Sequence, residues 1–82
     1  MIYALVSGEH YKQSENELVT EDKSKILNKI AEIWDEVEDY LVVEAWDDGD
    51  KVEEVWIEKR NGYYIAIHGK ESAINKAKEF LG

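Results

Sequence analysis

The chain of 82 residues contains no cysteine and no proline. The absence of thiols excludes disulfides, thiolate metal sites and a cysteine nucleophile. Long apolar runs are missing too: the run near the start, residues 2–6, is far shorter than the roughly 20 residues of a membrane span and lacks the basic flank of a signal peptide. No glycine-rich phosphate loop of the Rossmann or Walker type occurs. These absences predict a cytoplasmic protein without a membrane segment, a cofactor or enzymatic activity.

Basic residues are scarce, with ten of them against 19 acidic residues and a net charge of −9. Twelve of the acidic residues fall between Glu32 and Glu58, where Lys51 is the only basic residue, so this segment carries −11 and the other 55 residues carry +2. Such a field repels nucleic-acid phosphates and attracts basic surfaces of other proteins. We therefore expect no direct DNA or RNA binding and a protein partner with a basic surface; the alternative is that the charge serves solubility alone.

The apolar pattern predicts a single α+β domain over residues 1–82, with a four-stranded, mainly antiparallel sheet and two helices in the order β-α-β-β-β-α. Apolar residues from Ile26 to Val37 recur with the helical period, and Trp34 on this stripe is predicted to lie in the core. Thr20 is the predicted N-cap of this helix and Ser72 that of the second. The predicted strands are 2–6, 40–46, 52–59 and 63–68, the predicted first helix is 21–37, and residues 7–20 are predicted to form a loop.

Two turn sequences predict two hairpins. Residues 47–49 are interpreted as a three-residue loop, which pairs Leu41 with Val55, and residues 61–62 (Asn-Gly) as a two-residue turn, which pairs Trp56 with Ile67. One face of the sheet then carries Leu41, Val43, Ala45, Val55 and Ile57; the other carries Tyr40, Val42, Glu44, Trp46, Glu54, Trp56 and Glu58, joined by Tyr63, Ile65 and Ile67.

The second face is the predicted functional surface. Two amphipathic helices can cover one face of such a sheet, and the nearly uncharged face is the natural choice. The opposite face then exposes tryptophans interleaved with glutamates, a combination typical of interaction surfaces. In the alternative arrangement one helix covers each face and the tryptophans are core residues. The residues predicted to bind a partner, on this face and at the hairpin tip, are Glu44, Trp46, Asp47, Asp48, Asp50, Glu53, Glu54, Trp56 and Glu58.

Other clusters indicate weaker candidate sites. The acidic hairpin tip lacks the alternating Asp positions, the central glycine and the distal glutamate of an EF-hand loop, so no metal site is predicted. Ser7, Glu9 and His10 are close in sequence, which does not supply the convergence in space that a hydrolase needs. A binder of a small ligand or signalling nucleotide is a further alternative, and it would need three basic residues to converge near His68, namely Lys59, Arg60 and Lys70.

A short, acidic chain without cysteine or proline, carrying the stretches MIYALVSGEHY and YLVVEAWDDGDKVEEVWIE, resembles the small accessory proteins of phages and mobile elements. Among these it is similar to anti-CRISPR and other counter-defence proteins, in size and composition over the whole chain. The resemblance implies an inhibitor that mimics nucleic-acid charge and blocks a basic cleft of a host defence enzyme such as a CRISPR-Cas effector. A small accessory domain that forms a homodimer through the Trp46 and Trp56 face is an alternative from a different class.

Overall fold

A computed structural model describes residues 1–10, 12–60 and 66–82. Its strands are β1 (Ile2–Gly8), β2 (Glu15–Thr20), β3 (Tyr40–Asp47) and β4 (Asp50–Glu58), and its helices are α1 (Lys23–Ile33), followed by a 3-10 turn at Trp34–Glu36, and α2 (Lys70–Leu81). The strands form one antiparallel sheet in the order β2-β1-β3-β4. The predicted α+β class, with four strands and two helices, is confirmed, although the described order is β-β-α-β-β-α. No helix in the described part of the chain has the length and apolar character needed to cross a membrane.

Both helices pack on the same face of the sheet and contact each other. Trp34 is 3% exposed and belongs to this core, as predicted. The alternative with one helix on each face is therefore wrong. The core joins Ile26, Ile30 and Ile33 of α1 and Ala73, Ala77 and Leu81 of α2 to Tyr3, Leu5, Leu41, Val43, Ala45 and Ile57 of the sheet.

The predicted loop at residues 7–20 is wrong, because its second half forms β2, an edge strand paired with β1. Leu18, opposite Leu5, packs against the core, whereas Val19 on the other side is 62% exposed. Leu18 and Val19 are the only apolar residues of β2 and they are adjacent, so its sequence lacks the alternation by which strands are recognised.

Helix α1 is shorter than the predicted span of 21–37, and its N-cap is Asp22, not Thr20. The Asp22 carboxylate accepts a hydrogen bond from the Ser24 amide (2.9 Å) and another from the Ser24 hydroxyl (2.6 Å). These bonds lower the pKa of Asp22. The Thr20 hydroxyl instead accepts a hydrogen bond from the Asp22 amide (3.0 Å), and this bond fixes the cap residue Asp22.

The β3–β4 turn is tighter than the predicted three-residue loop. Asp47 pairs with Asp50, so only residues 48–49 lie in the loop, with φ angles of 53° and 85°. Positive φ at both positions is the geometry of a type I′ turn, whose twist matches that of the flanking strands. The shorter turn moves the register by one residue, and a β-bulge between Ala45 and Trp46 moves it by a second, so Leu41 pairs with Ile57, two residues beyond its predicted partner. A shift of two residues preserves side-chain alternation, so the predicted distribution of β3 and β4 side chains between the two faces is retained.

The predicted strand at 63–68 falls largely outside the described residues, as does the predicted turn at 61–62. In the described remainder, Ala66 forms an isolated antiparallel bridge with Arg60, and the amide of Ile67 donates to the carbonyl of Lys59 (2.9 Å). The predicted pairing of Ile67 with Trp56 is therefore wrong. The predicted turn would pair Arg60 with residue 63, whereas its partner is Ala66, and Ile67 consequently bonds to Lys59.

Ser72 is not the N-cap of α2, contrary to prediction. The helix begins at Lys70, and Gly69 is its cap residue. The Ser72 hydroxyl lies 2.6 Å from Nδ1 of His68, so it connects the first turn of α2 to the residue before the cap.

Candidate protein-binding face

The tryptophan face is the side of the sheet turned away from both helices, and on β3 and β4 it carries Tyr40, Val42, Glu44, Trp46, Glu54, Trp56 and Glu58. Its exposure is uneven. Val42 and Tyr40 are 4% and 9% exposed, Trp46 is half-buried, and Trp56 is 46% exposed. The exposed apolar area is therefore smaller than the sequence pattern indicates, and Trp56 is the tryptophan most available to a partner.

Two glutamates of this face share one lysine. Glu44 and Glu54 are directly opposite each other in the β3–β4 ladder, an arrangement that is destabilising for like charges. Lys51 relieves it, because its Nζ lies 3.0 Å from the Glu54 carboxylate and 3.6 Å from that of Glu44. The hydrogen bond from Lys51, followed by one from the Trp56 side chain, holds the pKa of Glu54 below its usual range. The Glu54 carboxylate is thus kept ionised, and one ammonium group contacts both carboxylates.

The two tryptophans of the face are each held by a neighbour. The indole Nε1 of Trp46 donates to Glu44 (3.2 Å). The ring of Trp56 stacks on Tyr40 with 4.7 Å between centroids, and Tyr40 in turn contacts the ring of His10 at 5.5 Å. Fixed aromatic rings lose little conformational entropy on binding, which favours them as anchors.

The hairpin tip projects four exposed carboxylates, those of Asp47, Asp48, Asp50 and Glu53. Among the described residues no ion pair involves any of them. Glu53 pairs with Ala45, whose side chain is in the core, so Glu53 lies on the helix side of the hairpin and not on the tryptophan face. Glu58, at the opposite end of β4, is half-buried beside Tyr40. The predicted partner-binding residues therefore divide into a charged tip and an aromatic face, with Glu53 on the far side.

The three basic residues of the small-ligand alternative contact the turn after α1 instead. Lys59 Nζ donates to the carbonyls of Trp34 (2.7 Å) and Val37 (2.8 Å). Arg60 Nε donates to the carbonyl of Glu38 (2.8 Å), and Lys70 lies 3.6 Å from the carboxylate of Asp35. These contacts stabilise an acidic turn, and they do not assemble an anion site around His68.

Ser7, near the end of β1, and His10, just after it, show no hydrolase geometry. Ser7 donates to Glu17 (2.8 Å) on the helix side of the sheet, whereas the ring of His10 lies against Tyr40 on the tryptophan face. A general base on the other side of the sheet cannot activate the Ser7 hydroxyl. Within residues 1–10, 12–60 and 66–82, no group of three or more metal-ligating side chains is close enough to hold an ion.

Sequence reasoning missed a groove of about 460 Å³ beside Trp46. Its apolar lining comes from Met1, Ile2, Ala4, Val19 and Trp46, and its acidic lining from Glu21, Glu44, Asp47 and Asp48. The groove unites β1, β2 and the hairpin tip, and because β2 was not recognised as a strand, nothing in the sequence placed Val19 beside the tryptophan face.

Comparisons with known proteins bring no further constraint: no protein-family model matches the chain, and no significant match is found among curated proteins or solved structures.

Proposed function

We propose that this protein is a phage-encoded inhibitor that acts in the host cytoplasm and has no enzymatic activity or cofactor. It binds the basic, nucleic-acid-binding cleft of a host defence enzyme such as a CRISPR-Cas effector. The tryptophan face and the hairpin tip form the contact, and the acidic side chains occupy positions that phosphates of the nucleic acid would take.

The observation that carries the proposal is the position of Trp56, which is 46% exposed on a sheet face that neither helix covers. Glu54 and Glu58 flank it two residues away on the same side of β4, and the charged tip ends the same hairpin. Tryptophan is among the most frequent hot-spot residues of protein interfaces, and acids beside it select a basic partner. In the proposed complex the acids set the association rate and the tryptophans set the lifetime.

Charge favours a foreign partner over a second copy of the chain. A two-fold interface places the same patch on both subunits, so it would bring Glu44, Glu54 and Glu58 of both copies into one contact area. Like charges that face each other across an interface weaken binding by roughly several kcal/mol. A basic cleft removes this cost and supplies the opposite charge.

Inhibition of DNA binding by purified, guide-loaded CRISPR-Cas effectors tests the proposal. We expect at least one effector to lose its binding to target DNA when an equimolar amount of this protein is added. The affinity of this protein for the effector should fall as salt is raised. Charge removal by Glu44→Gln, Glu54→Gln and Glu58→Gln together is expected to weaken inhibition. Its control is the same number of charges removed from the helices, by Glu32→Gln, Glu71→Gln and Glu79→Gln.

Two results would contradict the proposal. One is inhibition that is insensitive to salt or equal in the two triple variants. The other is a tight homodimer at micromolar concentration in analytical ultracentrifugation that buries Trp56, since such a dimer leaves no tryptophan face for a foreign cleft.

A further inference from the structure

The groove beside Trp46 has a physical origin in the strand register. Ala4 of β1 lies between Val19 of β2 and Glu44 of β3, and in the next row Ile2 lies beside Trp46. Because the alanine side chain is short and its neighbours are long, the sheet surface is depressed at Ala4, which is 6% exposed. The floor of the groove is therefore built by the ladder, and turn residues contribute only to its rim.

The walls of the groove are apolar and uncovered. Ile2 is 43% exposed and Val19 is 62% exposed. On the opposite side the Trp46 indole is fixed by its bond to Glu44, and Glu44 is itself in contact with Lys51. The groove thus combines a fixed aromatic side chain with two branched aliphatic side chains, so little ordering is required when it is filled.

The rim of the groove is acidic. Glu21, Asp47 and Asp48 line it in addition to Glu44, and all three are exposed. A purely apolar occupant would bring these carboxylates towards an uncharged surface without compensation. An occupant with an aliphatic body and a cationic end satisfies the walls and the rim together.

Arginine fits this description better than lysine. Its guanidinium is planar, stacks on tryptophan, and donates in pairs to carboxylates, and it gives up its hydration more readily than an ammonium group. Its methylenes would pack between Val19 and Ile2. Arginine is also a common residue of nucleic-acid-binding clefts, because it recognises phosphates.

We propose that this groove binds an arginine side chain, flanked by an aliphatic residue, on the basic surface of the partner. The inference deepens the proposed function and rests on it for the identity of the partner as a nucleic-acid-binding protein. The arginine then enters beside Trp46 while the rest of the cleft contacts the tip and Trp56.

The test uses a peptide probe that does not require the partner. Acetyl-Leu-Arg-Leu-amide is titrated into ¹⁵N-labelled protein and followed by the indole N–H signal of Trp46, which is assigned with Trp46→Phe, and by the amide of Val19. The matched probe replaces arginine with citrulline, which has the same shape without the charge. We expect saturable shifts of these two signals, with affinity about tenfold weaker for the citrulline peptide.

Two variants locate the binding. Val19→Thr keeps a β-branched side chain and is expected to lower the affinity for the arginine peptide several-fold. Val52→Thr makes the same chemical change at another exposed valine, 51% accessible and outside the groove, and should leave the affinity unchanged. If Val19→Thr disturbs the fold, as seen from its amide spectrum, Ile2→Thr replaces it. Equal affinity for both peptides, or shifts confined to Trp56, would overturn the inference.

Failure of this inference and failure of the proposed function give different results. If effectors are inhibited and Val19→Thr inhibits as well as wild type, the groove does not take part and the proposed function stands. If the arginine peptide saturates the groove but no basic effector is inhibited, the groove assignment stands and the proposed function is wrong.

Discussion

Glu44 and Glu54 face each other across the β3–β4 ladder, and one ammonium group, Nζ of Lys51, lies 3.6 Å from the first carboxylate and 3.0 Å from the second. The substitution Lys51→Met leaves two opposed carboxylates without a cation. We expect it to lower the midpoint of thermal unfolding and, because the face becomes more negative, to speed association with a basic partner. The measurements are differential scanning calorimetry and stopped-flow binding.

The stability lost in Lys51→Met should depend on pH in a defined direction. Glu54 has its pKa lowered below the usual 4.5 by Lys51 first and Trp56 second. A carboxyl group of this kind stabilises the folded state above its unfolded pKa and loses that contribution as pH falls through the lowered value. The difference between wild type and variant, measured by urea unfolding, is therefore expected to be largest near neutral pH and to shrink below about pH 4.5. Lys12→Met, which removes an exposed pair with Glu9, is the control, and a difference that is constant with pH would contradict the assignment.

Trp56 and Trp34 are predicted to have separable roles. Trp56→Ala should weaken partner binding by about 2 kcal/mol or more, mainly through faster dissociation, with a modest change in stability. Trp34→Ala removes a core residue that is 3% exposed and should cost about 3–5 kcal/mol of unfolding free energy. Surface plasmon resonance and urea denaturation distinguish the two effects. Loss of binding without any change in dissociation rate for Trp56→Ala would speak against its role as an anchor.

Removal of charge at the hairpin tip is predicted to act on association. Asp47→Asn, Asp48→Asn and Asp50→Asn together preserve side-chain size, and asparagine tolerates the positive φ of 53° at position 48. We expect the association rate with a basic partner to fall about tenfold at low salt, with little change in dissociation. Removing three charges from the helices, at Glu32, Glu71 and Glu79, should have a smaller effect. Equal effects would mean that net charge and not the tip guides the encounter.

Lys59 is predicted to be structural. Its Nζ donates to three carbonyls, those of Trp34, Asp35 and Val37, at 2.7, 3.3 and 2.8 Å. Lys59→Met removes this donor from all three carbonyls, of which that of Trp34 keeps a hydrogen bond from the Val37 amide (3.2 Å), and should cost about 1–3 kcal/mol. Lys70→Met removes only a contact with a well-exposed carboxylate, Asp35 (84% exposed), and is expected to change stability by less than about 0.5 kcal/mol. Guanidinium unfolding of both variants checks the contrast, and similar losses would refute it.

Close packing between β1 and β3 leads to a prediction for Gly8. A Cβ atom at this position would overlap Cζ and Oη of Tyr40, whose ring supports Trp56. Gly8→Ala should therefore displace the ring, cost about 1–3 kcal/mol and change the near-ultraviolet circular dichroism. Gly69→Ala, at a position with open space around it, is the control. An unchanged aromatic spectrum in Gly8→Ala would show that the stack does not depend on this contact.

The sequence predicted those parts of the fold that are encoded by strong periodicity or turn chemistry. The stripe from Ile26 to Trp34 indicated α1 and its core face, and the alternation of β3 and β4 indicated the sides on which Glu44, Glu54 and Trp56 lie. The prediction failed at β2, where the two apolar residues are adjacent and show no alternation, and at the helix caps, where the residues chosen, Thr20 and Ser72, are good capping residues that lie two or three positions from the observed caps.

The sequence predicted which residues share the candidate face but not which of them contact each other. Parity in a strand determines which side chains share a face, so the alternation of β3 and β4 is sufficient to group the acids with the tryptophans. It does not show that Lys51 lies between two glutamates, or that β2 contributes Val19 to a groove beside Trp46. Both are tertiary relationships, because they depend on the hairpin bulge near Trp46 and on a pairing of β1 with a strand that the sequence does not reveal.

The ion pairs around the 3-10 turn affect how the whole molecule behaves in an electric field. Arg60 and Lys70 lie within 3.6 to 3.7 Å of the carboxylates of Glu38 and Asp35, so much of the charge at that end is compensated where it arises. The tip carboxylates have no such compensation among the described residues. We therefore expect the molecule to have an electric dipole with its negative end at the hairpin tip. A positively charged surface would exert a torque on this dipole before contact, so that approaching molecules turn with the tip foremost.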